Sequence, residues 1–102
     1  MELSMTQDGS RVRFAINGKI DEQGAEELKA RFLTLNKSSV TEIVFDFRNV
    51  KHIGSAGIGK LLLFYKDLAV SGGSIRIENA SDSICEMFRV LKLDTIFSIS
   101  RG

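Results

Sequence analysis

The stretch His52–Phe64, HIGSAGIGKLLLF, decides how the rest of the chain is read. Inside it, Gly54–Leu61 runs G-S-A-G-I-G-K-L. A nucleotide-binding P-loop reads G-x-x-x-x-G-K-[ST], and this run departs from it only at Leu61. The same run is also a glycine-flanked serine at the start of a helix. It either cradles a phosphate carried by a nucleotide or offers a hydroxyl that receives one.

The P-loop reading meets three objections. Its Ser/Thr holds magnesium, and Leu61 cannot coordinate a metal. A P-loop follows its strand directly, whereas the alternating run EIVFDF ends at Phe47 and RNVKHI intervenes before Gly54. The chain is also short for a fold that needs a second metal-holding carboxylate. A nucleotide site at Gly54–Lys60 is therefore the remote reading. A serine-hydrolase elbow, G-x-S-x-G, fails at Ile53, and His52 is too close in sequence to Ser55 for a usual triad partner.

What remains is Ser55 as an exposed helix start. Serine is a preferred N-cap, which alone explains its presence. The glycines need more. Gly54, Gly57 and Gly59 crowd the first turn, where each costs about 0.5–1 kcal/mol relative to alanine. Such a cost implies close backbone approach, by a packed neighbour or by a partner's surface.

Working outward, the helix runs from about Ser55 to Ser71 and is closed by Gly72 and Gly73. Ile58, Leu61, Leu62, Tyr65, Leu68 and Ala69 form its expected apolar stripe. At about 100° per residue, Leu63 falls off that stripe, on the side of Ser55 and Gly59. Upstream, MELSMTQ and RVRFAIN alternate about the turn signal DGS and predict an N-terminal hairpin. GAEELKARFLTL predicts a helix with Ala25, Leu28, Phe32 and Leu35 inward. EIVFDF is a third strand. Downstream, SIRIEN predicts a fourth strand. SDSICEMFRVLKL predicts a helix capped by Ser81 or Ser83, with Ile84, Phe88 and Leu91 inward. TIFSIS predicts a last strand.

The order ββαβαβαβ predicts a small α/β domain with a mixed, mostly parallel sheet. The strands alternate apolar residues with Arg13, Asp46, Arg76 and Glu78, so one sheet face is expected to be bare of helices. Three helices should therefore pack mainly on the other face. With 102 residues the chain fits one domain, residues 1–102. A composition 43% hydrophobic and 26% charged is that of a globular protein. The net charge of +1 argues against nucleic acid or an anionic membrane as partner. No apolar run reaches the roughly 18 residues of a membrane helix, and no signal peptide is visible, so a soluble cytoplasmic protein is expected. One cysteine and one histidine support neither a disulfide nor zinc, and no cofactor is expected.

The residues resemble the STAS domain family, shared by anti-sigma factor antagonists and sulfate transporters. DFRNVKHIGSAGIG follows the family pattern D-L-S-x-V-x-x-x-D-S-[SA]-G-[LI]-G at Asp46, Val50, Ser55, Ala56, Gly57, Ile58 and Gly59. GKIDEQGAEEL follows G-x-[LI]-D…A-x-x-L at Gly18, Ile20, Asp21, Ala25 and Leu28. A third pattern is met by Asn79, Ser81, Ile84, Leu93, Asp94, Ile96 and Phe97. The three occur in order and span nearly the whole chain.

The resemblance implies a function. In the antagonist branch, the serine matching Ser55 is phosphorylated by an anti-sigma factor that is also a serine kinase. The unphosphorylated form binds that partner and frees the sigma factor, and a serine phosphatase resets the switch. Asp21, Gly54, Ser55, Ala56, Gly57, Gly59 and Leu63 are then the expected partner-binding residues, with Lys51 or Lys60 as countercharge for the phosphate. The protein is expected not to be an enzyme. Gly54 departs from the family's usual aspartate before the serine. That departure keeps an alternative open: a STAS-like subunit docked permanently in a transport or signalling assembly, with Ser55 only a helix cap.

Overall fold

A computed structural model describes residues 1–102. Five strands form one sheet: β1 (Glu2–Asp8), β2 (Arg11–Ile20), β3 (Glu42–Ile53), β4 (Ser74–Ala80) and β5 (Ser98–Arg101). They lie side by side in chain order. β1 and β2 are antiparallel, and every later pair is parallel. Between the parallel strands run α1 (Glu22–Phe32), α2 (Ser55–Ala69) and α3 (Asp82–Val90). Short 3-10 turns follow α1 at Lys37–Ser39 and α3 at Leu93–Thr95.

Strand alternation produces the two-layer architecture. Val12, Phe14 and Ile16 of β2, Ile43, Phe45 and Phe47 of β3, and Ile75 and Ile77 of β4 are buried. The helices cover that face. Phe14 stacks on Phe45 at 5.3 Å between ring centroids, Phe45 on Phe64 of α2 at 6.3 Å, and Phe64 on Phe32 of α1 at 4.2 Å. This aromatic chain ties the sheet to both helices.

The opposite face carries no helix and is closed by ions instead. Arg13 on β2 donates from Nη1 to Glu78 on β4 at 2.9 Å and from Nη2 to Asp46 on β3 at 3.1 Å. Asp46 also accepts from the Asn79 amide and the Arg48 N–H, both at 3.0 Å. Arg11 and Arg76 flank Glu42 at 2.8 and 3.7 Å. Val44 lies in the register row between Arg13 and Arg76 and is only 2% exposed. Arg13 and Arg76 thus flank it in that row, with their guanidinium heads engaged by Asp46, Glu78 and Glu42.

Several elements differ from the sequence reading. β3 does not end at Phe47 but continues to Ile53. Two irregularities against β2, between Ala15 and Asn17 and between Gly18 and Lys19, insert extra residues on β3. Each breaks the period of two, so the buried positions become Phe47, Val50 and Ile53 and the alternation that marks a strand disappears. On α2 the buried residues are Gly57, Leu61, Phe64 and Leu68, while Leu62 is exposed. Leu91 is also exposed, because α3 ends at Val90 and the chain turns through Lys92 at φ 61°.

Candidate functional site

The site lies where β2 and β3 end together. Ile20 and Ile53 are register partners, and each is followed at once by a helix. Two helix N-termini therefore stand side by side, α1 entered through Asp21 and α2 through Gly54. The Gly54 N–H donates to the Ile20 carbonyl at 3.0 Å and fastens one entry to the other. Asp21 and Gly54 are thus neighbours because the two strands are paired.

The two caps differ in chemistry. The Asp21 side chain accepts from the Gly24 N–H at 2.8 Å and closes the first turn of α1. That bond holds its carboxyl below the usual range, with Lys19 adding a smaller pull. At α2 the N-cap is Gly54 and not Ser55. Gly54 is extended, at φ −92° and ψ 179°, and supplies no side-chain oxygen. Ser55 is the first residue inside the helix and is exposed, so its hydroxyl is not the cap. The N-terminus of α2 accordingly has no side-chain capping bond, next to a free hydroxyl.

The three glycines separate into distinct roles. A Cβ at Gly57 would meet Ile20 Cγ2 at 2.6 Å and Ile53 Cγ1 at 2.9 Å. Gly57 is buried, and its lack of side chain lets α2 sit directly on the paired isoleucines. This answers the close-approach argument for that residue, and withdraws it from the surface. A Cβ at Gly59 would meet nothing within 4 Å. Gly54 also has room, its nearest neighbours being His52 Nε2 at 3.8 Å and the Ile20 carbonyl at 3.9 Å.

Beside Ser55 a shallow groove of ≈ 430 Å³ runs between α1 and α2. Glu22, Ala25 and Glu26 line one side, and Ala56, Gly59, Lys60 and Leu63 the other. Leu63 is 50% exposed and Ala56 is half-buried. Lys60 reaches across to Glu26, Nζ to Oε1 3.5 Å, so its charge is engaged within the groove. Sequence reasoning found Ala56, Gly59 and Leu63 but missed Glu22 and Glu26. The signal was present: they are four apart on one helix, and parallel pairing of β2 with β3 sets α1 beside α2. Asp46 stands away from this end, in the ionic network of the open face.

The P-loop question can now be weighed on geometry. One objection falls, because β3 runs to Ile53 and Gly54 does follow its strand directly. The decisive one stands: Leu61, at the magnesium position, is completely buried in the core. No helix is long and apolar enough to cross a membrane.

The site is thus a paired-strand end carrying two helix starts, an exposed serine and a glycine-bearing first turn. The family model described as "Mlab, STAS domain" matches residues 3–99, and the chain belongs to the STAS domain family. Among curated proteins it is similar to the anti-sigma-B factor antagonist of Bacillus subtilis (strain 168). The two are 24% identical over 100 residues, covering 98% of this chain and 91% of that protein. Solved structures share the fold. Unphosphorylated SpoIIAA, an anti-sigma factor antagonist, superposes with a TM-score of 0.81 at 18% identity, covering 99% of this chain and 89% of its own. SpoIIAA of Bacillus in its phosphorylated form gives 0.78 at 19% identity, with 99% and 93% covered. A sulfate transporter family protein from Wolinella succinogenes gives 0.75 at 15% identity, with 90% and 78% covered.

Proposed function

We propose that this protein is a phosphoregulated binding module, an anti-sigma factor antagonist working by partner switching in the cytoplasm. Unphosphorylated, it binds an anti-sigma factor that is also a serine kinase. Phosphorylated on Ser55, it lets that partner go, and a serine phosphatase restores the hydroxyl. The observation that carries this reading is the position of Ser55: exposed, first in α2, beside an open groove.

The physical chemistry supports such a switch. A phosphate on Ser55 adds about −1.5 to −2 charge at pH 7. At the first helical residue it meets free N–H groups and the positive end of the dipole, so the fold tolerates it. A docked partner meets new bulk and charge at the centre of its contact. Release then requires no refolding. Lys51, exposed and in no ion pair, or Lys60, now paired with Glu26 at 3.5 Å, supplies the countercharge for the phosphate.

A binding titration with the purified kinase partner tests the reading. Wild type should bind, and enzymatically phosphorylated protein should not. Equal affinity for the two forms would sink the switch. The second reading, a permanent subunit of a transport assembly, would then lead. It is favoured by Gly54, which removes the family's carboxylate beside the serine, and by the fold shared with a transporter protein.

A further inference from the structure

The groove beside Ser55 has an uneven balance of charge. Two carboxylates, Glu22 and Glu26, line it against one ammonium, Lys60. Lys60 is paired with Glu26, while Glu22 takes part in no ion pair. Glu22 is exposed in the first turn of α1. The groove thus carries one surplus negative charge at its upper end.

Its floor and far wall are apolar and small. Ala25 is fully buried, Ala56 half-buried, and Gly59 leaves open space where a side chain would stand. Leu63 closes the lower end. From Ala56 to Leu63 the wall follows two turns of α2, about 10 Å at 1.5 Å per residue. That length matches two turns of a second helix laid alongside.

We propose that this groove seats a helix of the partner protein, placing an arginine or lysine at Glu22 and an aliphatic side chain one turn away over Gly59 and Leu63. The inference rests on the reading that this end of the molecule docks a protein, and it names the chemistry of what docks. An acidic segment is repelled by Glu22. A purely apolar one leaves Glu22 desolvated and unpaired.

The test uses the full chain, uniformly ¹⁵N-labelled, and two synthetic helical peptides. They are identical except for a Leu–Arg or a Leu–Glu pair at i and i+4. The Leu–Arg peptide should shift the amides of Glu22, Glu26, Gly59 and Leu63, and bind more weakly as salt is raised. Glu22→Gln should weaken it about threefold, the effect of losing one exposed ion pair. The Leu–Glu peptide should bind at least several-fold more weakly. Equal binding of the two peptides, shifts mapped elsewhere, no response to Glu22→Gln, or no shift at about 1 mM peptide would each overturn the proposal. Neither peptide involves a kinase or a phosphate. A negative result here leaves the Ser55 switch standing, and a Ser55 that is never phosphorylated leaves this groove standing.

Discussion

Ile20 and Ile53 are paired across β2 and β3, and Gly57 rests on both of them. That contact fixes where α2 begins relative to α1. Ser55 and Asp21 are placed by the same packing, since each lies within two residues of one isoleucine. The exposed Asp21 and Ser55 are thus one and two residues from the buried isoleucines that set the packing.

Substitution at Ser55 should separate fold from binding. Because Gly54 is the cap, Ser55→Ala loses no capping bond, and its effect on unfolding free energy should stay within about 0.5 kcal/mol. Ser55→Asp should gain about 0.3–1 kcal/mol from the helix dipole. In titrations with the kinase partner, Ser55→Ala should bind like wild type. Ser55→Asp should be partly inhibited, having less charge than phosphate and no tetrahedral oxygens. Urea unfolding of each variant supplies the control.

Two glycines two residues apart should respond in opposite directions. Gly57→Ala places a methyl 2.6 Å from Ile20 Cγ2 and should cost about 1–3 kcal/mol by overpacking. Gly59→Ala meets open space and should stabilise by about 0.5–1 kcal/mol. Chemical denaturation of the pair decides it. Loss of stability in Gly59→Ala would show that this turn is not helical in solution.

Leu63 and Leu61 offer the same contrast between surface and core. Leu63→Lys should change stability by no more than about 0.5 kcal/mol and weaken partner binding. Leu61→Ala, at a fully buried position, should cost about 2–5 kcal/mol. A large fall in the melting temperature of Leu63→Lys would move that residue from the docking surface into the core.

Asp46 should contribute to acid stability. Burial pushes its carboxyl up, but hydrogen bonds from the Asn79 amide, the Arg48 N–H and the Arg13 guanidinium outweigh this and hold it below the usual range. A carboxyl lowered by folding stabilises the protein above its unfolded pKa. The contribution fades as pH falls below about 4 and through the folded value. Asp46→Asn should lower stability at neutral pH and flatten the acid limb of a stability–pH curve. An unchanged acid limb would show that the open-face network makes no net contribution.

Most of the fold was legible because most of it obeys simple periods. The alternation in RVRFAIN, EIVFDF and SIRIEN gave three strands and the bare face, and the helical spacing of Leu28 with Phe32 and of Ile84 with Phe88 gave two inner faces. Legibility failed where a local irregularity overrode the period. The bulges of β3 hid its second half, and with it the fact that Gly54 follows a strand. Phe64 was missed because Leu61–Tyr65 is a continuous apolar run that fits two overlapping helical stripes, and only the contact of Gly57 with the sheet selects the one through Leu61, Phe64 and Leu68. At the site, Ser55 and its glycines stood out by residue type. The acidic wall of the groove did not, because Glu22 and Glu26 gain their meaning only from the helix beside them.

The strictly consecutive order of the five strands also governs how the chain finds its shape. No strand waits for a later one to be inserted between itself and its neighbour. Each new strand adds at the growing edge of what already exists, and each helix closes over it. Each parallel pairing still spans a whole helix, from Arg11 to Glu42 and from Glu42 to Ser74, so a loop of about 30 residues must close before each new strand is rewarded. The end that carries Ser55 depends on the later elements too: α2 packs on β4 as well as on β3, and its Tyr65 meets Phe97, just before β5, edge to face at 5.9 Å. The helix that opens at Ser55 is therefore fully seated only when the far edge of the sheet is in place.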